Sequence, residues 1–180
     1  MPPLKDQIRT QSPIYTPEQR RRRDQSGWTL VQGVLAPAQF VVFLVSLALV
    51  IRFLATGEGA EAATISIVIK TLFLYAIMVT GSLWEKAVFG HYLFAGPFFW
   101  EDAVSMVVIA LHTAYLVALI AGWGSITTQM MITLAAYAAY AINAGQFLLK
   151  LRAARLEARE AGAGEISDDG AELRQVGVTG

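Results

Sequence analysis

The chain has no cysteine, which removes disulfides, thiolate metal ligands and a cysteine nucleophile together. Charge is scarce too. Only 16% of its 180 residues are charged, 55% are hydrophobic, and the net charge is zero. A water-soluble domain carries about 25% charged residues, so this composition excludes an ordinary soluble enzyme, and the balanced charge argues against a nucleic-acid partner. No small-residue cleavage site follows the first apolar segment, which is about twice the length of a signal-peptide core, so that segment is expected to stay as an anchor. No internal repeat of the kind that builds inverted-repeat transporters is visible.

What the sequence does have is four long apolar runs, at residues 28–54, 65–84, 104–121 and 130–149. Each is close to the length that crosses a hydrocarbon core of about 30 Å at about 1.5 Å per residue. The predicted fold is all-α, a polytopic membrane bundle of four transmembrane helices. Lys5, Arg9 and the run Arg20, Arg21, Arg22, Arg23 precede the first span, and Lys150, Arg152, Arg155 and Arg159 follow the last. The loops at 55–64 and 122–129 carry no Lys or Arg. Both termini are therefore expected in the cytoplasm. The chain divides into a basic N-terminal segment (1–27), the four-helix domain (28–150) and a cytoplasmic helix extension with a tail (151–180).

Within the first segment, Thr16, Pro17 and Gln19 have the spacing of a capping box with proline at the first helical position, so a short interfacial helix is expected. Residues before Pro17 read as disordered. Good helix formers continue from Lys150 to Glu160, and the Gly-rich acidic stretch from Gly162 onward reads as a disordered tail.

Polar residues fall in stripes on the spans. Gln32, Gln39 and Ser46 share a face of the first; Thr71, Tyr75, Ser82 and Glu85 of the second; Glu101, Ser105 and His112 of the third; Asn143, Gln146 and Lys150 of the fourth. Polar groups facing lipid are costly, so these faces are expected to meet in the interior. Ser, Thr, Gln and Asn in spans more often tie helices together than bind ligands. Lys70 sits near the outer end of its span, where its stem is expected to reach the headgroups.

The richest chemistry lies between Trp84 and Asp102. Glu85 closes the second span, Glu101 and Asp102 open the third, and His91 lies in an aromatic connection that contains Gly90, Gly96 and Pro97 and could form a lid or floor. The plain reading of Glu101 and Asp102 is acids favoured at a helix N-terminus, with Asp102 paired to Lys86. His112 stands about 16 Å along the helix from Glu101, well inside the bilayer, where a histidine is a functional candidate.

Three stretches carry a family resemblance: Tyr15 to Gly33 with its run of arginines and Gly27-Trp28-Thr29, Trp84-Glu85-Lys86-Ala87-Val88-Phe89-Gly90, and Phe99-Trp100-Glu101-Asp102. Together with Ala110 to Tyr115 and Asn143 to Lys150, they resemble the 3-vinyl bacteriochlorophyllide hydratases, also called 2-vinyl bacteriochlorophyllide hydratases. The resemblance implies a small integral membrane enzyme of a phototrophic bacterium's inner or intracytoplasmic photosynthetic membrane. Such an enzyme adds water to the ring A vinyl group of chlorophyllide to give a 1-hydroxyethyl group. The expected partners are the pigment, water and lipid; no cofactor beyond the pigment's own magnesium is implied. The resemblance transfers no catalytic residue.

The chemistry itself selects candidates. The terminal vinyl carbon must be protonated, leaving a cation delocalised into the macrocycle, and water must lose a proton as it attacks. A water-poor interface lets a carboxyl hold a proton, so Glu85 or Glu101 is a candidate acid and Asp102 or His91 a candidate base. His112 is a candidate axial ligand to the pigment magnesium; Gln39, Tyr75, Trp100 and Asn143 are candidate pigment contacts. Two other readings stand beside this one: a pigment-binding or assembly protein without turnover, and a small exporter, disfavoured because its carboxylate would be near mid-span. The chain length also allows a homodimer.

Overall fold

The computed structural model describes residues 14–176, with side chains to residue 156. The expectations for residues before Ile14 and after Val176 lie outside the described residues. Five α-helices follow one another: α1 (Pro17–Gln25), α2 (Gly27–Thr56), α3 (Ala60–Phe89), α4 (Phe99–Ile120) and α5 (Ile126–Val176), with a 3₁₀ turn at Gly96–Phe98 before α4. The bundle is all-helical, and α2 to α5 each carry a segment long and apolar enough to cross a membrane.

The ends of these helices follow from local chemistry. Thr16 accepts a hydrogen bond from the Gln19 backbone N–H at 3.2 Å, and the Gln19 side chain accepts from the Thr16 N–H at 2.9 Å, which is the predicted capping box. At Gly57 (φ 75°) and Gly90 (φ 92°) the chain leaves α2 and α3 through the left-handed region, where only glycine carries no steric penalty. The last helix continues to Val176, past Gly162 where the sequence places its end. Alanine, glutamate and leucine surround the glycines there, and isolated glycines cost a helix about 1 kcal/mol each without breaking it.

α2 packs closely along α3, and α4 along α5; the two hairpins meet each other more loosely. Their seam holds the core: Phe43 and Val50 from α2, Ile67 and Leu74 from α3, Val108 from α4, Tyr137 and Tyr140 from α5. Polar stripes tie the hairpins across that seam, as the sequence predicts. Ser46 and Tyr137 hydroxyls lie 2.6 Å apart, and Tyr75 and Thr113 hydroxyls 2.7 Å apart. Within the first hairpin, Gln32 donates to Thr80 at 2.7 Å.

Such bonds in membrane bundles are worth roughly 0.6 kcal/mol on average and up to about 1.7. Replacing Tyr137 by Phe is expected to cost a value in that range, read as a shift in unfolding by denaturing detergent; a stability unchanged from the parent would show that Ser46 finds another partner.

Candidate active site at the closed end of the bundle

The connection from α3 to α4 folds back on the bundle end, and the reason is a shortage of backbone acceptors. Phe94 adopts φ 59°, an unusual conformation for a residue with a side chain. Its N–H donates to Asp102 Oδ2 at 2.7 Å, and the next N–H, of Ala95, donates to Glu85 Oε2 at 3.1 Å. Two carboxyls from different helices thus hold two consecutive peptide groups. Glu85 and Asp102 are thereby held side by side at this end of the bundle. Two buried carboxyls this close favour keeping a proton on one of them over carrying two charges.

Glu101 sits beside this pair but is satisfied differently. Lys150, from α5, lies 3.1 Å from its Oε1 and also donates to the Pro97 carbonyl. Asn143 Nδ2 donates to the Glu101 backbone carbonyl at 2.9 Å and bonds Ser105 at 3.1 Å, fixing the first turn of α4 against α5. Glu101 Oε2 is buried with no hydrogen-bond partner. All three carboxyl residues are less than 8% exposed.

An aromatic floor closes the bundle below them. Phe98 is ringed by Trp84 (5.6 Å), Phe89 (5.8 Å) and Tyr15 (6.2 Å between ring centres), and Trp84 Nε1 donates to Thr29 at 3.0 Å. Tyr15 thereby docks the start of the N-terminal segment on the same end.

Two expectations are corrected. Lys86 does not pair with Asp102; its ammonium donates to the Gly90 carbonyl at 2.7 Å and lies over Tyr92, because Asp102 faces inward to the loop N–H. Lys70 does not reach the headgroups. It is fully buried, with its ammonium 3.7 Å from the Tyr140 ring centre and no hydrogen-bond partner, because α3 begins at Ala60 and so sets it about 15 Å inside.

The remaining candidates divide. His91 is exposed, its Nδ1 3.3 Å from the Leu93 carbonyl, and is not brought to the carboxyls. Trp100 is 71% exposed on the outside of the bundle. Tyr75 is occupied by Thr113 and Asn143 by α4. Gln39 and His112 are buried at the seam, each with a polar atom lacking a partner: Oε1 and Nε2. Sequence reading sent Lys70 to the headgroups and put Lys150 on the inward polar stripe of the fourth span without naming its partner Glu101; the signal for Lys70 is its distance from the true start of α3.

Four apolar spans with three buried carboxyl residues gathered at one end define a multi-pass membrane protein of the helical-bundle class. The family described as 2-vinyl bacteriochlorophyllide hydratase (BCHF) matches residues 15–153. The chain is 66% identical over 153 residues to a 2-vinyl bacteriochlorophyllide hydratase of Rhodobacter capsulatus, covering 85% of this chain and 89% of that protein. It is 67% identical over 144 residues to a protein of the same name from Cereibacter sphaeroides, covering 80% and 89%. The chain belongs to this family. No solved structure matches it.

Lys150 is expected to be structural for this site. Lys150→Met leaves Glu101 buried without its cation and should destabilise the bundle by about 1–3 kcal/mol, with Lys150→Arg retaining most of the stability. Equal stability of both variants in a detergent unfolding series would contradict that role.

Proposed function

We propose that this protein hydrates the ring A vinyl group of a chlorophyllide-type pigment to the 1-hydroxyethyl group, and that the Glu85–Asp102 pair moves both protons. The observation that carries the assignment is that two buried carboxyls accept from consecutive loop N–H groups beside a third that is held by Lys150. The shared proton goes to the terminal vinyl carbon, and the C=C electrons form the new C–H bond, leaving the cation on the inner carbon. Water attacks that carbon through oxygen and gives one of its protons back to the pair. One water is gained and the pair ends as it began. Glu101, close by and carrying an oxygen without a partner, supplies negative charge to the cation. His91 has no part in this scheme.

The flat pigment enters along the loose seam between hairpins, where lipid-soluble material has the shortest path to the carboxyls. His112 supports that placement. Its Nδ1 lies 2.8 Å from the Val108 carbonyl, which can only accept, so Nδ1 carries the hydrogen and Nε2 presents a lone pair into the seam. A histidine oriented by a backbone carbonyl through its other nitrogen is arranged as metal ligands are, and the pigment magnesium is the metal it would meet. α3 and α4 run in opposite directions and side chains lean toward helix N-termini, so Glu85 and His112 lean toward each other. The pigment's own magnesium is part of the substrate, and the scheme uses no further cofactor. Placement in a bacterial photosynthetic or cytoplasmic membrane with both termini inside fits the arginine distribution.

The free Nε2 of His112 equally suits a protein that only holds pigment, so turnover decides. Membranes of a non-phototrophic host expressing the chain, supplied with chlorophyllide, should yield pigment heavier by one water; bound pigment with an unchanged vinyl group would establish the binding-only reading. Glu85→Gln and Asp102→Asn should each lower hydration by roughly 10²- to 10⁴-fold while pigment still binds. Normal turnover in either would end its acid–base role. His112→Phe should weaken binding of the magnesium pigment, followed by its absorption bands, and leave binding of the magnesium-free pigment unchanged; an equal loss for both pigments would remove magnesium ligation from the scheme.

A further inference from the structure

Among the described residues, Lys70 is the one buried charged side chain that the hydration scheme leaves unexplained. It is 0% exposed, its ammonium has no hydrogen-bond partner and rests on the Tyr140 ring, and Ile67 and Leu74, three residues before it and four after on α3, are core residues. The nearest carboxyls along its own helix are Glu61, exposed and about 13 Å back, and Glu85, about 22 Å ahead. An ammonium is expensive in such surroundings unless an anion joins it, and the ring face of Tyr140 supplies only part of that compensation. Thr71 beside it donates its hydroxyl to the Ile67 carbonyl and makes no bond to the ammonium.

The position of Lys70 relative to the rest of the seam identifies the missing anion. Glu85 and Asp102 accept from the consecutive N–H groups of Ala95 and Phe94, so they mark a common level. From that level the Cα of His112 is about 15 Å up α4 and that of Lys70 about 22 Å up α3. The Lys70 ammonium rests on Tyr140 and the His112 ring meets Tyr137, three residues away on α5, so the two face the same part of the seam. The order from the closed end is the carboxyl pair, then imidazole and ammonium together. A chlorophyllide carries the vinyl group on ring A, magnesium at the centre and, on the neighbouring ring D, a flexible propionate that is its ionised peripheral group.

We propose that Lys70 is the recognition site for the free propionate carboxylate of the pigment. This rests on the hydratase reading above and adds its specificity: the site takes pigment acids and disfavours pigments whose propionate is esterified. The ester keeps its carbonyl as an acceptor but brings no charge, so the ammonium remains without a counter-ion when an ester occupies the seam. Gln39, buried at 2% on α2 of the same hairpin with Oε1 unpartnered, is neutral and cannot substitute for an anion.

The test is equilibrium binding of chlorophyllide and of its methyl ester to the purified full-length chain in lipid nanodiscs, with Lys70→Met and Lys70→Arg beside the parent. The parent should bind the acid roughly thirtyfold or more tightly than the ester, as expected for a buried charge pair against its truncated form. Lys70→Met should remove that preference by weakening the acid alone, and Lys70→Arg should restore much of it. Equal affinities for acid and ester in the parent would overturn the proposal, and that comparison stands even should Lys70→Met not assemble. Loss of acid and ester binding alike in a folded Lys70→Met would overturn it too. Binding needs no turnover, so an unchanged vinyl group with an intact acid preference would count against the hydratase reading and leave the carboxylate site supported.

Discussion

Two peptide N–H groups that have turned into the apolar end of a membrane bundle must find acceptors, and the rest of the site depends on how that demand is met. In hydrocarbon an unpaired backbone group costs several kcal/mol. Phe94 and Ala95 cannot be served by a helix ladder, because the chain is reversing direction between α3 and α4. Carboxyl oxygens of Asp102 and Glu85 accept instead. Each carboxyl is drawn inward and the two are held side by side, where keeping a proton on one of them is favoured over two charges. The geometry that closes the loop is thus the same geometry that stores a proton in a water-poor place. The left-handed backbone at Phe94 is the local cost of this arrangement, of order 1–3 kcal/mol.

The third carboxyl shows why three acids in one place need not behave alike. Glu101 lies beside Asp102 in sequence, but successive helical residues point in directions about 100° apart. That rotation sends Glu101 toward α5 and Lys150 while Asp102 turns to the loop. Asn143 and Ser105 then fix the turn that carries both. A proton-carrying pair and an ion-paired neighbour arise from adjacent positions on one helix, which is the separation of roles that protonating a vinyl group and stabilising the resulting cation require.

The four spans were legible because length and hydropathy act on whole segments, and the capping box at Thr16 because it is a strictly local pattern. The carboxyl cluster was legible as a meeting of three acids at one level. Its internal pairing was not, since the choice between Lys86 and the loop N–H groups for Asp102 depends on the fold of residues 90–98, and Gly90, Gly96 and Pro97 permit many. Lys70 was misread for a measurable reason: the apolar run begins at Ile65, but the helix begins at Ala60, and five residues of helix add about 7 Å of depth. His91 and Trp100 were drawn in by their neighbours in sequence, while the loop turns His91 outward and the first turn of α4 presents Trp100 on the outside.

The loose meeting of the two hairpins gives these separate levels a common purpose. Tight packing would exclude a macrocycle, and a permanently open slot would expose Lys70, His112 and Gln39 to lipid, where none has a partner. The seam instead closes on aromatic and aliphatic side chains from all four spans, with few hydrogen bonds across it to break. A flat apolar ligand that parts the hairpins can replace those contacts with its own faces and offer the buried polar atoms the partners they lack. On that view the unsatisfied groups of the empty bundle are part of its affinity: their desolvation has already been met in folding, so each interaction with pigment is gained without that cost being met again.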